Sequence, residues 1–157
     1  ALNSNCVPAG CEEGSPQVEW LRADLENSPN LCTLLYWHHP LWTSGTHEVN
    51  QAVSTFWDVA RQYGVEIVVN GHEHMYERFA PMDGAGTEER VSGTRAFIAG
   101  TGGAWLFPFG TLHLSSEVRQ NDTHGVLLFR LYPERYEWEF VPVEGGTFTD
   151  AGDGTCF

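Results

Sequence analysis

Four of the seven histidines in this 157-residue chain fall into two tight groups, His38-His39-Pro40 and Gly71-His72-Glu73-His74. Each group follows directly on a short apolar run, residues 31–37 and 65–69. Neutral imidazole is the commonest metal ligand of proteins and suits zinc, iron, copper or nickel. Side chains one residue apart in extended chain point to the same side, so His72 and His74 can face one site. Two ions about 3.5–4 Å apart could each take one of that pair, the separation at which paired ions clamp an in-line displacement. A lone His-x-His arises often by chance, whereas two such groups ending successive strands form a stronger signal. On spacing alone, solvated loop histidines with satisfied rings remain the alternative.

For the two groups to meet, the elements before them must run side by side. Ser15-Pro16 reads as an N-cap with proline at the first helical position. Val18, Leu21 and Leu25 follow at helical spacing, and the helix is expected to stop before Ser28-Pro29-Asn30. Residues 31–37 have the near-continuous apolar pattern of a strand buried on both faces. Residues 48–63 predict a second helix, with Val49, Val53, Phe56, Trp57, Ala60 and Tyr63 on one stripe and Gly64 to end it. A second short buried strand is expected over residues 65–69, with Gly71 allowing a sharp turn after it. This order gives a βαβ unit with parallel strands. Sheets of that kind bind ligands beyond the carboxyl ends of their strands, where both histidine groups lie. After Pro81 the character changes. Residues 94–99, 125–131 and 136–143 predict strands, the last two forming an antiparallel hairpin across Tyr132-Pro133-Glu134-Arg135. Residues 83–87 and 145–155 read as loops. The fold class is α/β (α+β), a βαβ unit followed by antiparallel strands, in one domain over residues 1–157.

The formal net charge is −13, with no lysine and eight arginines scattered singly. That leaves no basic stripe for a nucleic-acid partner. An anionic substrate would have to be drawn by something other than side-chain charge, and a bound dication is the obvious agent. No apolar run is long enough to cross a bilayer, and Ala1 does not open a signal peptide. The start, Ala1-Leu2-Asn3-Ser4-Asn5, reads as the end of a buried strand entering a loop, so further chain is expected before it. Four cysteines, Cys6, Cys11, Cys32 and Cys156, allow three pairings. Cys6–Cys11 with Cys32–Cys156 is preferred, since it pins the tail to the core sheet, and buried reduced thiols stay open as the alternative. Disulfides would imply a secreted or cell-surface location.

The wording of the motifs adds to this. Asn70-Gly71-His72-Glu73-His74-Met75-Tyr76-Glu77-Arg78 resembles the GHxHxYER segment of the purple acid phosphatase branch of calcineurin-like metallophosphoesterases. His38-His39-Pro40 is similar to that family's HxP motif, and Ala99-Gly100-Thr101-Gly102-Gly103 to its glycine-rich loop. The hairpin over residues 126–143 resembles the family's closing strands. The resemblance implies the C-terminal half of an αββα metallophosphatase sandwich and hydrolysis of phosphate esters. It also implies two divalent or trivalent ions (iron, zinc, manganese or similar), with His38 and His72 on one and His74 on the other. His39, at the variable position of HxP, is not counted among the metal ligands and is expected to support a ligand from behind or to line the pocket and touch substrate. His47 falls where such enzymes place a histidine that contacts phosphate and protonates the leaving group, although an exposed helix-start histidine is an equal alternative. Arg78 is expected to pair with a carboxylate, and His113 and His124 to lie on loops or at the surface.

The sequence also departs from the family. The D…GDxxY…GNH(D/E) series that supplies its other ligands does not occur here. Two neighbouring ions need anionic ligands to offset their repulsion, and three neutral histidines cannot provide them. The chain is therefore expected to be the C-terminal part of a longer enzyme, inactive or nearly so alone, with partial or no metal occupancy. Its partners would be phosphate esters or inorganic phosphate, the N-terminal half, and possible copies of itself through the exposed interface. The rival reading is a non-catalytic binding module with a partial metal site. The loops over residues 43–48 and 104–121 are expected to set substrate choice.

Overall fold

The computed structural model describes residues 1–157. Three helices, α1 (Cys6–Ala9), α2 (Pro16–Asn27) and α3 (Ser54–Gln62), accompany eight strands. These are β1 (Leu34–Trp37), β2 (Ile67–Asn70), β3 (Tyr76–Met82), β4 (Thr94–Ala99), β5 (Ser116–Gln120), β6 (Gly125–Leu131), β7 (Arg135–Pro142) and β8 (Ala151–Thr155). A five-stranded mixed sheet has the order β1-β2-β4-β3-β5, and a three-stranded antiparallel sheet the order β6-β7-β8.

Alternation along the strands explains the layering. Leu35, Trp37, Val68, Ala96 and Ile98 face one side, where Val18 and Leu21 of α2 and Phe56, Trp57, Val59 and Ala60 of α3 pack on them. Ile67 and Phe97 face the other side and meet Tyr136, Trp138 and Phe140 of β7. The result is a helix layer, a mixed sheet and a second sheet. As expected, β1 and β2 pair in parallel around α3, and β6 and β7 form the antiparallel hairpin. Ser15 caps α2, its hydroxyl accepting from the Val18 amide at 3.4 Å, and Pro16 follows at the first helical position.

The structure corrects several expectations. β1 is not buried along its whole length on both faces: Leu34 packs against the second sheet, but Tyr36, on this edge strand, is 55% exposed. The second helix is shorter than the 48–63 pattern. Asn50 caps a 3₁₀ turn over Gln51–Val53 through its own side chain, and α-helix runs only from Ser54 to Gln62. Gly64, at φ 67°, ends it. The segment after Ala151 is strand rather than loop. Gly152 and Gly154 stand opposite Trp138 and Tyr136, whose rings occupy the space that a Cβ at either glycine would need. β3 and β5 carry no alternation that marks them as strands; pairing with β4 makes β3 one, and pairing with β3 makes β5 one. Disulfides join Cys6 to Cys11 and Cys32 to Cys156, the second tying the C-terminus to the start of β1.

Candidate metal centre

The parallel register sets Trp37 beside Asn70, so both histidine groups leave the same sheet edge together. Asn70 donates from its side-chain Nδ2 to the Trp37 carbonyl at 3.0 Å, and the Gly71 backbone amide donates to the His38 carbonyl at 3.1 Å. These bonds lock the two strand ends in step. His38 Nε2 then lies 3.2 Å from His72 Nδ1. The His39 ring closes on both, with centroids 4.8 Å from His38 and 4.7 Å from His72. One donor atom from each of these three histidines lies within 4.8 Å of the others.

The chain after β2 is not extended, contrary to expectation. The Glu73 amide donates to the Gly71 carbonyl and the Met75 amide to the Glu73 carbonyl, both at 2.8 Å, giving two successive three-residue turns. His72 is the one non-glycine residue with positive φ, 65°, so the sharp turn falls on the histidine rather than on Gly71. A side chain held there costs on the order of 1–3 kcal/mol, a strain that collects at functional sites. The turns also separate the pair. His72 joins His38 and His39, while the His74 ring stacks on Phe107 at 4.3 Å and 12°. His74 Nδ1 donates to the Trp105 carbonyl at 2.8 Å, which leaves Nε2 free as a ligand.

His47 reaches the cluster from the loop before α3, its ring 4.9 Å from that of His72. A carboxylate that sequence reasoning passed over holds it there. Glu73, at the variable position of the motif and 1% exposed, accepts from the His47 amide at 3.0 Å and from His47 Nδ1 at 3.1 Å. A carboxylate only accepts, so His47 carries its proton on Nδ1 and offers Nε2 outward. Glu77, four residues on and fully buried, accepts from the Ser44 amide at 2.9 Å and from the Ser44 hydroxyl. Two buried carboxylates thus staple the loop over residues 44–47. Gly45 leaves them room, since a Cβ there would lie 2.5 Å from Oε1 of Glu73 and closer still to its other carboxylate atoms. Gly100 plays a similar part, because a Cβ at that position would strike the Glu73 carbonyl oxygen. A charged residue at the variable position of GHxH was the signal available for Glu73.

Burial lowers the His38 pKa from the ordinary histidine value, and the His39 and His74 charges add to the effect. Burial likewise lowers that of His72, helped by His39, His38 and His47 and opposed by Glu73. Both rings are therefore biased toward the neutral form that binds metal. The donor set fits one ion of the zinc class. It does not by itself fit two, because the histidine group includes no carboxylate and Glu73 is committed to His47.

The remaining candidates lie elsewhere. Arg78 pairs with Asp150, Nε to Oδ2 at 2.8 Å, and with Glu117, so its work is ionic and structural as expected. His113 lies on the loop before β5, one of the two placements expected. Half-buried between Trp42 and the edge of Phe79, it donates its amide to Ser44 Oγ at 2.9 Å. His124 donates from Nε2 to the Ala104 carbonyl at 2.9 Å.

No protein-family model matches the chain. Purple acid phosphatase 15 of Arabidopsis thaliana is 33% identical over 73 residues, covering 43% of this chain and 14% of that protein. A purple acid phosphatase, PPD1 from yellow lupin seeds, superposes with a TM-score of 0.76 at 18% identity, covering 90% of this chain and 28% of that one. GAP50, described as the anchor in the inner membrane complex of Plasmodium, gives a TM-score of 0.63 at 13% identity over 85% of this chain and 41% of that one. PhoD gives 0.52 at 15% identity over 88% and 31%. The chain spans about one-seventh of the curated relative and less than half of each solved structure. In fold along most of its length, and in sequence over part of it, the chain is purple acid phosphatase-like.

Proposed function

We propose that this chain supplies the histidines of a two-metal phosphate-ester hydrolase, a secreted phosphomonoesterase or phosphodiesterase. The observation that carries the reading is the convergence of His38 Nε2 and His72 Nδ1, 3.2 Å apart, at the carboxyl edge of β1 and β2. His38 and His72 would hold one ion, and His74 would hold the other through its free Nε2. When bound, the ions supply Lewis-acid charge for in-line attack at phosphorus. With Nδ1 engaged by Glu73, Nε2 of His47 is the nitrogen left to contact phosphate or protonate the leaving group. His39 lines the same pocket. The bridging carboxylates would come from an N-terminal segment of the same enzyme. That segment would pack on the flank that Tyr36, Val126 and Leu127 line together. The two disulfides support a location outside the cytoplasm.

The second reading is a binding module with a partial metal site, favoured by the lack of any carboxylate in the histidine group. Hydrolysis of an aryl phosphate with added Zn²⁺, Mn²⁺ or iron separates the two. The full-length parent is expected to turn over and its His72→Ala variant to lose nearly all activity. A His47→Ala variant should lose about 10²–10⁴-fold in kcat. The 157-residue chain alone is expected to be inactive. A parent without activity would leave the binding module, and a robust rate from this chain alone would overturn the shared site.

A further inference from the structure

We propose that His39 is a metal ligand, completing with His38 and His72 a three-imidazole site for a single zinc-class ion within this chain. The inference rests on the metal-binding role proposed above for His38 and His72, but not on the hydrolytic chemistry. Two nitrogens on one tetrahedral ion at about 2.0–2.1 Å stand roughly 3.3–3.4 Å apart, and His38 Nε2 and His72 Nδ1 stand 3.2 Å apart. The three donor atoms lie within 4.8 Å of one another, against at most about 4.2 Å for two donors on one ion, so torsion of a ring closes the set.

The surroundings of His39 are those of a ligand held by an outer partner. Ser4, almost fully buried, places its hydroxyl 2.9 Å from His39 Nδ1 and accepts the His39 backbone amide at 3.1 Å. Asn50 anchors Ser4 in turn, donating to its carbonyl at 3.3 Å. With Nδ1 occupied, Nε2 is the nitrogen available to an ion. Ligating histidines usually have their other ring nitrogen hydrogen-bonded in this way, which fixes the tautomer and orients the ring. The backbone at His39 is fixed as well, its carbonyl accepting from Trp37 Nε1 at 2.9 Å. His74, by contrast, lies outside this group, its ring stacked on Phe107. Three neutral nitrogens select zinc, cobalt, nickel or copper over magnesium and calcium, which take oxygen.

Calorimetric titration of the disulfide-intact chain with Zn²⁺ near neutral pH tests this. One ion per chain is expected, with no comparable binding of Mg²⁺. His39→Ala should weaken Zn²⁺ binding at least about 100-fold and Ser4→Ala about 10-fold, while His74→Ala stays within about threefold. Because His39→Ala also removes the ring's bond to Ser4, the unmutated chain provides a second readout through its imidazole ¹⁵N resonances. Zinc should shift the rings of His38, His39 and His72 and leave His74 in place. Two ions per chain, a loss on His74→Ala equal to that on His39→Ala, or a zinc-induced shift of His74 without one of His39 would overturn the proposal. None of these readouts involves phosphate hydrolysis, so an inactive parent enzyme would leave the inference standing.

Discussion

Replacing Gly45 by alanine perturbs the candidate site without touching any histidine. Gly45 does not have a positive φ, so alanine adds no backbone strain and its whole effect comes from one methyl group. That methyl would sit 2.5 Å from Oε1 of Glu73, and Cβ contacts under 3.0 Å do not persist, so the carboxylate must retreat by at least about 0.5 Å. The bonds from the His47 amide and Nδ1, now 3.0 and 3.1 Å, would stretch to about 3.5–3.6 Å, the length at which a hydrogen bond is no longer one. Bonds to a charged acceptor are worth about 1.5–3 kcal/mol each. His47 is 42% exposed and can rehydrate, so the combined loss is discounted to about 2–3 kcal/mol. For a domain of this size that corresponds to a fall in Tm of roughly 4–12 °C. Denaturant unfolding of the parent, Gly45→Ala, Glu73→Ala and the double variant closes the cycle. Once Glu73 is shortened there is nothing to strike, so Gly45→Ala should then cost under about 0.5 kcal/mol. Additive losses in the double variant would mean that the cost at Gly45 does not arise from Glu73.

Other consequences follow from single features. Removing the Cys32–Cys156 disulfide, which closes a loop of 124 residues, should cost about 4–5 kcal/mol on the chain-entropy account, read as a lower denaturant midpoint for the double serine variant. Asp150→Asn should cost about 3 kcal/mol in the same assay, because it leaves Arg78 less than fully paired and weakens the bond that Tyr76 Oη donates to Asp150 at 2.6 Å. Burial raises the Glu66 pKa against the pull of the Thr33 and Phe157 amides. A carboxylate with its folded value raised contributes stability below its unfolded pKa and loses it as pH rises through the folded one. Glu66→Gln should therefore compare more favourably with the parent at pH 7 than at pH 4.5 in paired unfolding curves, and the opposite trend would contradict the assignment. The Glu117 pKa moves the other way. Burial pushes it up, but the hydrogen bond and charge of Arg95 and the charge of Arg78 outweigh this, so its contribution is lost on acidification.

Much of this was legible before any coordinates. Ser15-Pro16, the apolar runs before each histidine group and the stripe of α3 predict a βαβ unit, and local periodicity suffices for that. β8 was hidden because Gly152 and Gly154 give a strand no side chains to alternate, and only the rings of Trp138 and Tyr136 explain them. β5 needs β3 as a partner, and a partner far along the chain leaves no local signature. In the site, residue types pointed to the histidines, while their division into His38, His39 and His72 on one side and His74 on the other depends on the turn at His72. Histidine tolerates a positive φ better than most residues, but residue type alone does not place one at position 72. Glu73 and Glu77 read in sequence as ordinary charges within a motif, and their part became visible only once the loop at Ser44–His47 was seen folded over them.

X-ray absorption at the zinc edge of the zinc-loaded chain shows whether the strand-end histidines form a metal centre. A first shell of two or three nitrogens at about 2.0–2.1 Å, with the outer-shell scattering of imidazole rings, is the expected result. A shell of oxygens alone, from the carboxylates of a chain with net charge −13, would contradict it.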